Sequence, residues 1–206
     1  MLSIIVPVDV NLNTYYKESL ANFQNRKDVE IILVHQEEAF TRAERLNIGF
    51  HRSKGEMILF HHPRSLLNSD AIEYLIHESK KKEKTIVWGG FTHQFDRRHI
   101  FLKWISCYSN FVRIPWEGIV YLDHCIFFSR VLWISDLRLQ YLFEDTELSK
   151  KFKKIQKPIL LPYISLTSSH RFLKHGIVVQ IVKNLLLKIG YKLRLPSSLL
   201  FAIYQK

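Results

Sequence analysis

Over the first 80 residues, short apolar β-branched runs alternate with segments of helical spacing, and this alternation constrains the fold more than any other feature. Leu2 to Val8 is such a run, bounded by Pro7, Asn11 and Asn13 and suited to a buried strand. A helix through Leu12, Tyr15, Leu20 and Phe23 follows, and Val29 to Val34 reads as a second buried strand. Thr41 to Arg52 puts Ala43, Leu46 and Phe50 on one helical face, with Gly55 as its stop. Met57 to Phe60 is a third strand, ending in His61, His62, Pro63, Arg64 and Ser65. A helix with Asp70 near its start then runs to the lysines at 80 to 82. Strand, helix and strand in this order predict an α/β fold, a mostly parallel sheet with helices on both faces. Ligands of such sheets gather at the carboxyl ends of the strands, here near Val8, His35 and His61 to Ser65.

The following stretch changes character. Thr85 to Phe95 reads as a strand with a Gly89-Gly90 bend, and Phe101 to Phe111 as an aromatic helix. Gly118 to Ser129 is nearly all apolar, so Asp123 and His124 stand as polar residues in a strand-like run. Burying them unpartnered is costly, which leaves pairing in the core or exposure at a site.

Charge divides the chain at Glu147. Residues 148 to 206 hold twelve Lys and Arg and no acid, whereas the net charge of the whole is +11. That distribution argues against a basic groove for nucleic acid across the body, leaving only the basic tail for such binding, and no zinc-finger or RNA-recognition signature is present. Cys107 and Cys125 are too few for a disulfide framework or a zinc site and fit a reducing compartment. The N-terminal run lacks the basic start and small-residue cleavage site of an export signal, and no window of 18 uncharged apolar residues occurs. Immediately before the boundary, Tyr141 to Phe152 reads as a helix start with Glu144, Asp145 and Glu147 in its first turn. Acids in that position serve helix stability, or one of them serves as a general base.

In order and spacing, SIIVPV (3 to 8), VEIILV (29 to 34), RAERLNIGF (42 to 50), GEMILFHHPRS (55 to 65), WGGFTHQF (88 to 95), YLDHC (121 to 125), FEDTELSKKF (143 to 152) and TSSHRFLKHGI resemble family 2 glycosyltransferases of the GT-A fold. More narrowly, the chain resembles the small bacterial transferases found beside radical-SAM and selenium-related proteins. The resemblance implies transfer of a sugar from a nucleotide-diphosphate sugar to a hydroxyl acceptor, lipid-linked or glycan. It makes Asp145 the base, Glu144 its neighbour and Asp123 a sugar or acceptor contact. Pro7, His35, Arg42, Asn47, His62, Arg64, Gly89 and Gly90 complete the substrate-facing set that it implies.

Two departures from the family pattern stand out. The second strand ends in His35, Gln36, Glu37 and Glu38, where the family has an Asp and a small-residue turn for the nucleotide. Arg64 falls where the family has the carboxylate that holds Mg²⁺ or Mn²⁺. An arginine cannot ligate a cation, so the ordinary metal site is expected to be absent and no cofactor to be required, which leaves His62 as the remaining weak ligand for Mg²⁺ or Mn²⁺. The Arg64 guanidinium instead suits a metal-independent grip on phosphate. The alternative is a repurposed, inactive transferase that binds without catalysing.

The expected division is a GT-A-like domain over 1 to 165 and a basic tail over 166 to 206. Phe172 to Leu195 reads as one amphipathic helix, with Ile177, Ile181, Leu185 and Ile189 in one row and Val178, Val182 and Leu186 in the next. Gln180, Lys183, Asn184, Lys188 and Lys192 are expected to face away. Such a helix suits the surface of an anionic membrane on its cytoplasmic side, or else packs its stripe on the body or a second copy. Pro196 to Ser198 breaks it, and Leu199 to Tyr204 is a short aromatic terminus.

Overall fold

A computed structural model describes residues 1–9, 15–81 and 87–205. Leu12, Lys82, Thr85 and Ile86 of the expected elements lie outside the described residues. The strands are β1 (Leu2–Val8), β2 (Val29–His35), β3 (Met57–Phe60), β4 (Ser65–Leu67), β5 (Trp88–Phe95), β6 (Ile126–Ser129) and β7 (Ile159–Thr167). They form one sheet in the order β2-β1-β3-β6-β5-β7-β4. The helices are α1 (Tyr15–Leu20), α2 (Arg42–Arg52), α3 (Ser69–Lys80), α4 (Ile100–Tyr108), α5 (Glu144–Phe152), α6 (His170–His175), α7 (Ile177–Lys192) and α8 (Ser197–Gln205).

The α/β class with both sheet faces covered is as the alternation requires. Side chains of successive strand residues point to opposite faces. Leu2, Ile4, Val6, Met57, Leu59 and Phe127 therefore build one core with Ile72 and Leu75 of α3. Ile5, Ile58, Phe60, Ile126 and Phe128 build the other with Leu46 and Phe50 of α2 and Leu148 and Phe152 of α5. α2 begins with a reciprocal cap, in which Thr41 Oγ1 accepts from Glu44 N and the Glu44 carboxylate accepts from Thr41 N.

Several elements differ from expectation. The sheet is mixed: β1-β2, β1-β3 and β5-β7 are parallel, while β3-β6, β5-β6 and β4-β7 are antiparallel. β2 is an edge strand, so Ile31 and Ile32 are half-buried and Leu33 is exposed. β7 carries Pro162 inside an apolar run, a residue that argues against a strand. A register shift between Phe91 and Thr92 of β5 carries the pairing from Leu161 to Ile164 and leaves Pro162 outside the ladder. β7 also runs through the expected 165/166 division. α4 continues as a π-helix over Ser109–Glu117, with Pro115 inside it and Gly118 ending it at φ 65°. Only Ile126–Ser129 of the strand-like run is a strand, because Leu122–His124 forms a single 3-10 turn.

The tail is three helices rather than two elements. Gly176, at φ 84°, separates α6 from α7. α7 does not pack its apolar stripe on the body: Gln180 and Leu187 are buried, whereas Val178, Val182, Leu185, Leu186 and Ile189 are exposed. The packing stripe is instead Leu187 with Leu200 of α8, closed over Leu142, Phe143, Tyr191, Phe201 and Tyr204. The tail thus folds back onto the segment that leads into α5.

Candidate active site

At the carboxyl ends of β1 and β3 the chain forms two adjoining cavities, of about 220 and 580 Å³, that share Arg42, Arg64, Leu142, Arg171 and Tyr204. The smaller, inner cavity contains Asp123 and Asp145, with Arg113, Tyr121 and Lys188 in its wall. The larger, outer basin is lined by Asp9, Arg45, His62, His170 and Lys174 besides the shared arginines.

α5 delivers the acidic pair. Phe143 precedes it in the left-handed region at φ 68°, an uncommon conformation for a bulky residue, and its ring stacks on Tyr191 at 4.5 Å between centroids. Glu144 is wholly buried and paired with the Arg42 guanidinium, while its Oε2 has no hydrogen-bond partner among the described residues. Asp145 Oδ2 accepts from Leu122 N at 3.1 Å and Oδ1 from Thr146 N at 2.7 Å. Burial and the adjacent Glu144 raise the Asp145 pKa to about 6, against the lowering effects of Arg42 and the Leu122 amide. A carboxylate in that range holds a proton far better than an ordinary aspartate and still ionises near neutrality.

Asp123 reaches the cavity because the chain turns there instead of running straight. Its carbonyl accepts from Ser165 Oγ at 2.7 Å and Thr167 Oγ1 at 3.2 Å, which ties the turn to β7. Cys125, at φ 52°, completes the reversal. The Asp123 carboxylate stands 3.6 Å from His62 Nε2. Burial opposes its ionisation, but the potential of His62, His93, Arg64 and Arg42 outweighs that and holds it well below the carboxylate range. His62 is itself pushed well below 6.5 by burial, so at neutral pH it is uncharged and the two arginines supply the stabilising charge. His124, the other polar residue of the run, is paired in the core. Its Nδ1 donates to the Phe91 carbonyl at 2.8 Å, and its Nε2 accepts from Arg113 Nη2 at 3.0 Å.

Arg64 projects from the loop after β3 with no ion pair to any described residue, and burial lowers its pKa. Arg171 lies over the Tyr204 ring at 4.0 Å and likewise has no carboxylate partner among the described residues. Asp9, the one acid on the basin wall, is already bound to Arg45 Nη2 at 2.5 Å. The basin therefore presents unneutralised guanidinium groups, which suit a phosphate or diphosphate. Among the described residues no three His, Cys, Asp or Glu side chains converge, and the nearest approach to a ligand set is the His62–Asp123 pair beside Arg64.

Of the sequence-derived candidates, Arg42, His62, Arg64, Asp123 and Asp145 line the cavities, and Glu144 stands behind them. The others lie outside both cavity linings. Asn47 is a packing residue, donating to the Leu137 carbonyl at 3.0 Å and accepting from Leu137 N at 2.9 Å. A side chain on Gly89 would meet the Ile159 carbonyl oxygen at 1.8 Å, and one on Gly90 would meet Val120 and His124 within 2.8 Å. Both glycines admit neighbouring chain rather than ligand. Pro7 is buried in β1, and exposed His35 donates its backbone N–H to Glu38 Oε1 at 3.0 Å, away from both cavities. Sequence reasoning missed Arg113, Arg171, Lys174 and Tyr204, and it placed Lys188 on the outward face. Only the HRFLK stretch offered a signal, as basic residues in a quoted motif.

No protein-family model and no curated protein matches the sequence. Solved structures do. S. aureus TarS 1-349 superposes with TM-score 0.60 at 13% identity, over 80% of this chain and 60% of that one. The same TarS fragment in complex with UDP-GlcNAc gives TM-score 0.60 at 14% identity, over 82% and 58%. A mycobacterial protein gives 0.57 at 10% identity, over 96% and 76%. This chain thus spans about 60% of the TarS fragment's length. The narrower likeness to radical-SAM-associated transferases finds no support among these structures. What the chain shares with them is the GT-A-like transferase fold.

Proposed function

We propose that the protein transfers a sugar from a nucleoside-diphosphate sugar to a hydroxyl acceptor without a divalent cation. The observation that carries this reading is the Asp145 carboxylate, with its pKa near 6, facing a cavity that opens onto the arginine-lined basin. The diphosphate lies against Arg64 and Arg171, and the sugar reaches inward past Asp123, whose ionised carboxylate accepts from sugar hydroxyls. The acceptor oxygen attacks the anomeric carbon, its proton passes to Asp145, and the bond to the diphosphate breaks. Charge developing on the leaving group is met by guanidinium groups already in place. UDP-GlcNAc, found with TarS, is the first donor to try.

The tail belongs to this reading as the attachment to a membrane. The exposed row of α7, flanked by Lys183 and Lys192, suits the anionic cytoplasmic leaflet. No helix among the described residues is long and apolar enough to cross a bilayer.

A panel of nucleotide sugars, incubated with and without EDTA, tests the proposal through release of nucleoside diphosphate and transfer. Turnover that survives EDTA and disappears in Asp145→Asn is the expected result. Turnover abolished by EDTA refutes metal independence. Tight nucleotide binding with no turnover favours the second reading, a binding protein on a transferase fold, to which the tip of β2 lends support: Glu38 is held there by the His35 backbone N–H and by Arg52.

A further inference from the structure

The inner cavity is flanked by two helices that are apolar on their outer sides. The α4–π segment lines it through Ser109 and Arg113, and α7 through Leu187 and Lys188. Lys188 stands 5.5 Å from the Tyr121 ring, on whose face the Arg113 guanidinium also lies, so the two helices meet at this wall. On the outer side of the α4–π segment, Trp104 is 66% and Trp116 84% exposed, with Ile100 and Phe111 beside them in the open. On the outer side of α7 the exposed row runs from Val178 to Ile189. Apolar surface of this extent marks a partner.

Charge identifies the partner. Apart from Arg113, Arg171, Lys174 and Lys188, which line the cavities, residues 97 to 118 carry Arg97, Arg98 and Lys103 and residues 170 to 205 carry Lys183, Lys192 and Arg194, against one acid, Glu117. A second copy of this chain would bring like charge to like charge. An anionic bilayer is complementary, and tryptophan with flanking basic residues is the composition that settles at a lipid–water interface.

We propose that the α4–π face is a second lipid-contacting wedge beside α7, and that together they seat the mouth of the inner cavity on an anionic bilayer. The acceptor is then an amphiphile whose polar head reaches Asp145 while its apolar part stays in lipid. This acceptor class rests on the transfer reading above, whereas the wedge does not.

The test uses the full chain with vesicles of phosphatidylcholine alone or mixed with phosphatidylglycerol. Of the four tryptophans only Trp104 and Trp116 are strongly exposed, so their fluorescence reports the wedge directly. Expected are a blue shift on mixed vesicles, quenching by brominated lipid, and partitioning about tenfold or more weaker in Trp104→Ala/Trp116→Ala. Lys183→Glu/Lys192→Glu should weaken binding mainly at low salt. Vesicle binding that leaves Trp104 and Trp116 open to acrylamide and unquenched by brominated lipid overturns the wedge even if α7 binds. A blue shift that grows with protein concentration without lipid overturns it in favour of self-association. Because the readout is binding, an inactive protein that still seats on vesicles refutes the transfer reading and not the wedge.

Discussion

The outer basin and the inner cavity share a wall of arginines yet present opposite chemistry. In the basin the one lining carboxylate, Asp9, is consumed by Arg45, so Arg64 and Arg171 face the space uncompensated. In the inner cavity two carboxylates remain, and the same guanidinium groups treat them differently. Asp123, with Arg64 and Arg42 near and no acid beside it in sequence, is held ionised. Asp145, next to buried Glu144, is pushed up to about 6. One arginine, Arg42, is largely occupied by Glu144 and cannot serve both. The lesson is that a single set of bases can hold an anion on one side and tune a proton acceptor on the other, provided a buried acid takes up part of its charge.

The largest expected effect comes from removing the proton acceptor. Asp145→Asn should lower transfer by about 10²- to 10⁴-fold, measured as nucleoside diphosphate release. Its stability should move the other way. The folded pKa lies above the ordinary 3.8, so the fold favours the protonated form, and that contribution is fully present below 3.8 and lost as pH rises through about 6. At neutral pH the ionised carboxylate is a burden, and Asp145→Asn should unfold at the same or a higher temperature. A marked drop in Tm would recast Asp145 as structural.

Next in size is the buried ion pair. Arg42→Gln strands Glu144 without a counter-charge and should cost roughly 3–5 kcal/mol in denaturant unfolding. Adding Glu144→Gln should recover most of that loss. If the double variant is as unstable as the single, the pair does not isolate the Glu144 charge as described. Arg64→Gln should leave stability nearly unchanged and weaken nucleoside-diphosphate binding by about 1.5–3 kcal/mol, while free nucleoside binding stays the same. Arg64→Lys should keep part of the affinity, since a point charge replaces a planar fork. The mildest effect is in pH dependence: transfer should rise with pH through about 6 and level off above it.

Much of the first half of the fold was legible because its strands are short apolar runs and its helices keep a clean period. α2 and α5 also carry their own start signals, the Thr41–Glu44 cap and the acidic first turn. β7 was not legible, since Pro162 speaks against a strand and only a local register shift admits it. For α7 the period showed that two faces exist, and it could not show which one turns inward. Polar Gln180, Asn184 and Lys188 look solvated in a sequence, yet the cavity wall and the Gln180–Asn184 hydrogen bond claim them. At the site, Asp145 and Arg64 were singled out by the resemblance to a transferase family rather than by local pattern. Arg113 and Arg171 were not, because each enters the cavity from an element far along the chain whose packing alone aims it.

Gly89 touches neither cavity, but its missing side chain leaves the gap into which the Ile159 carbonyl settles. The whole course of β7 is anchored at that point of contact, and through β7 the placement of Thr167, Ser168 and the arginine that follows on α6. The geometry of the arginine-lined wall is therefore inherited from an empty volume on the neighbouring strand. A methyl group there would be felt as a misaimed guanidinium long before it was recognised as a fault in the sheet.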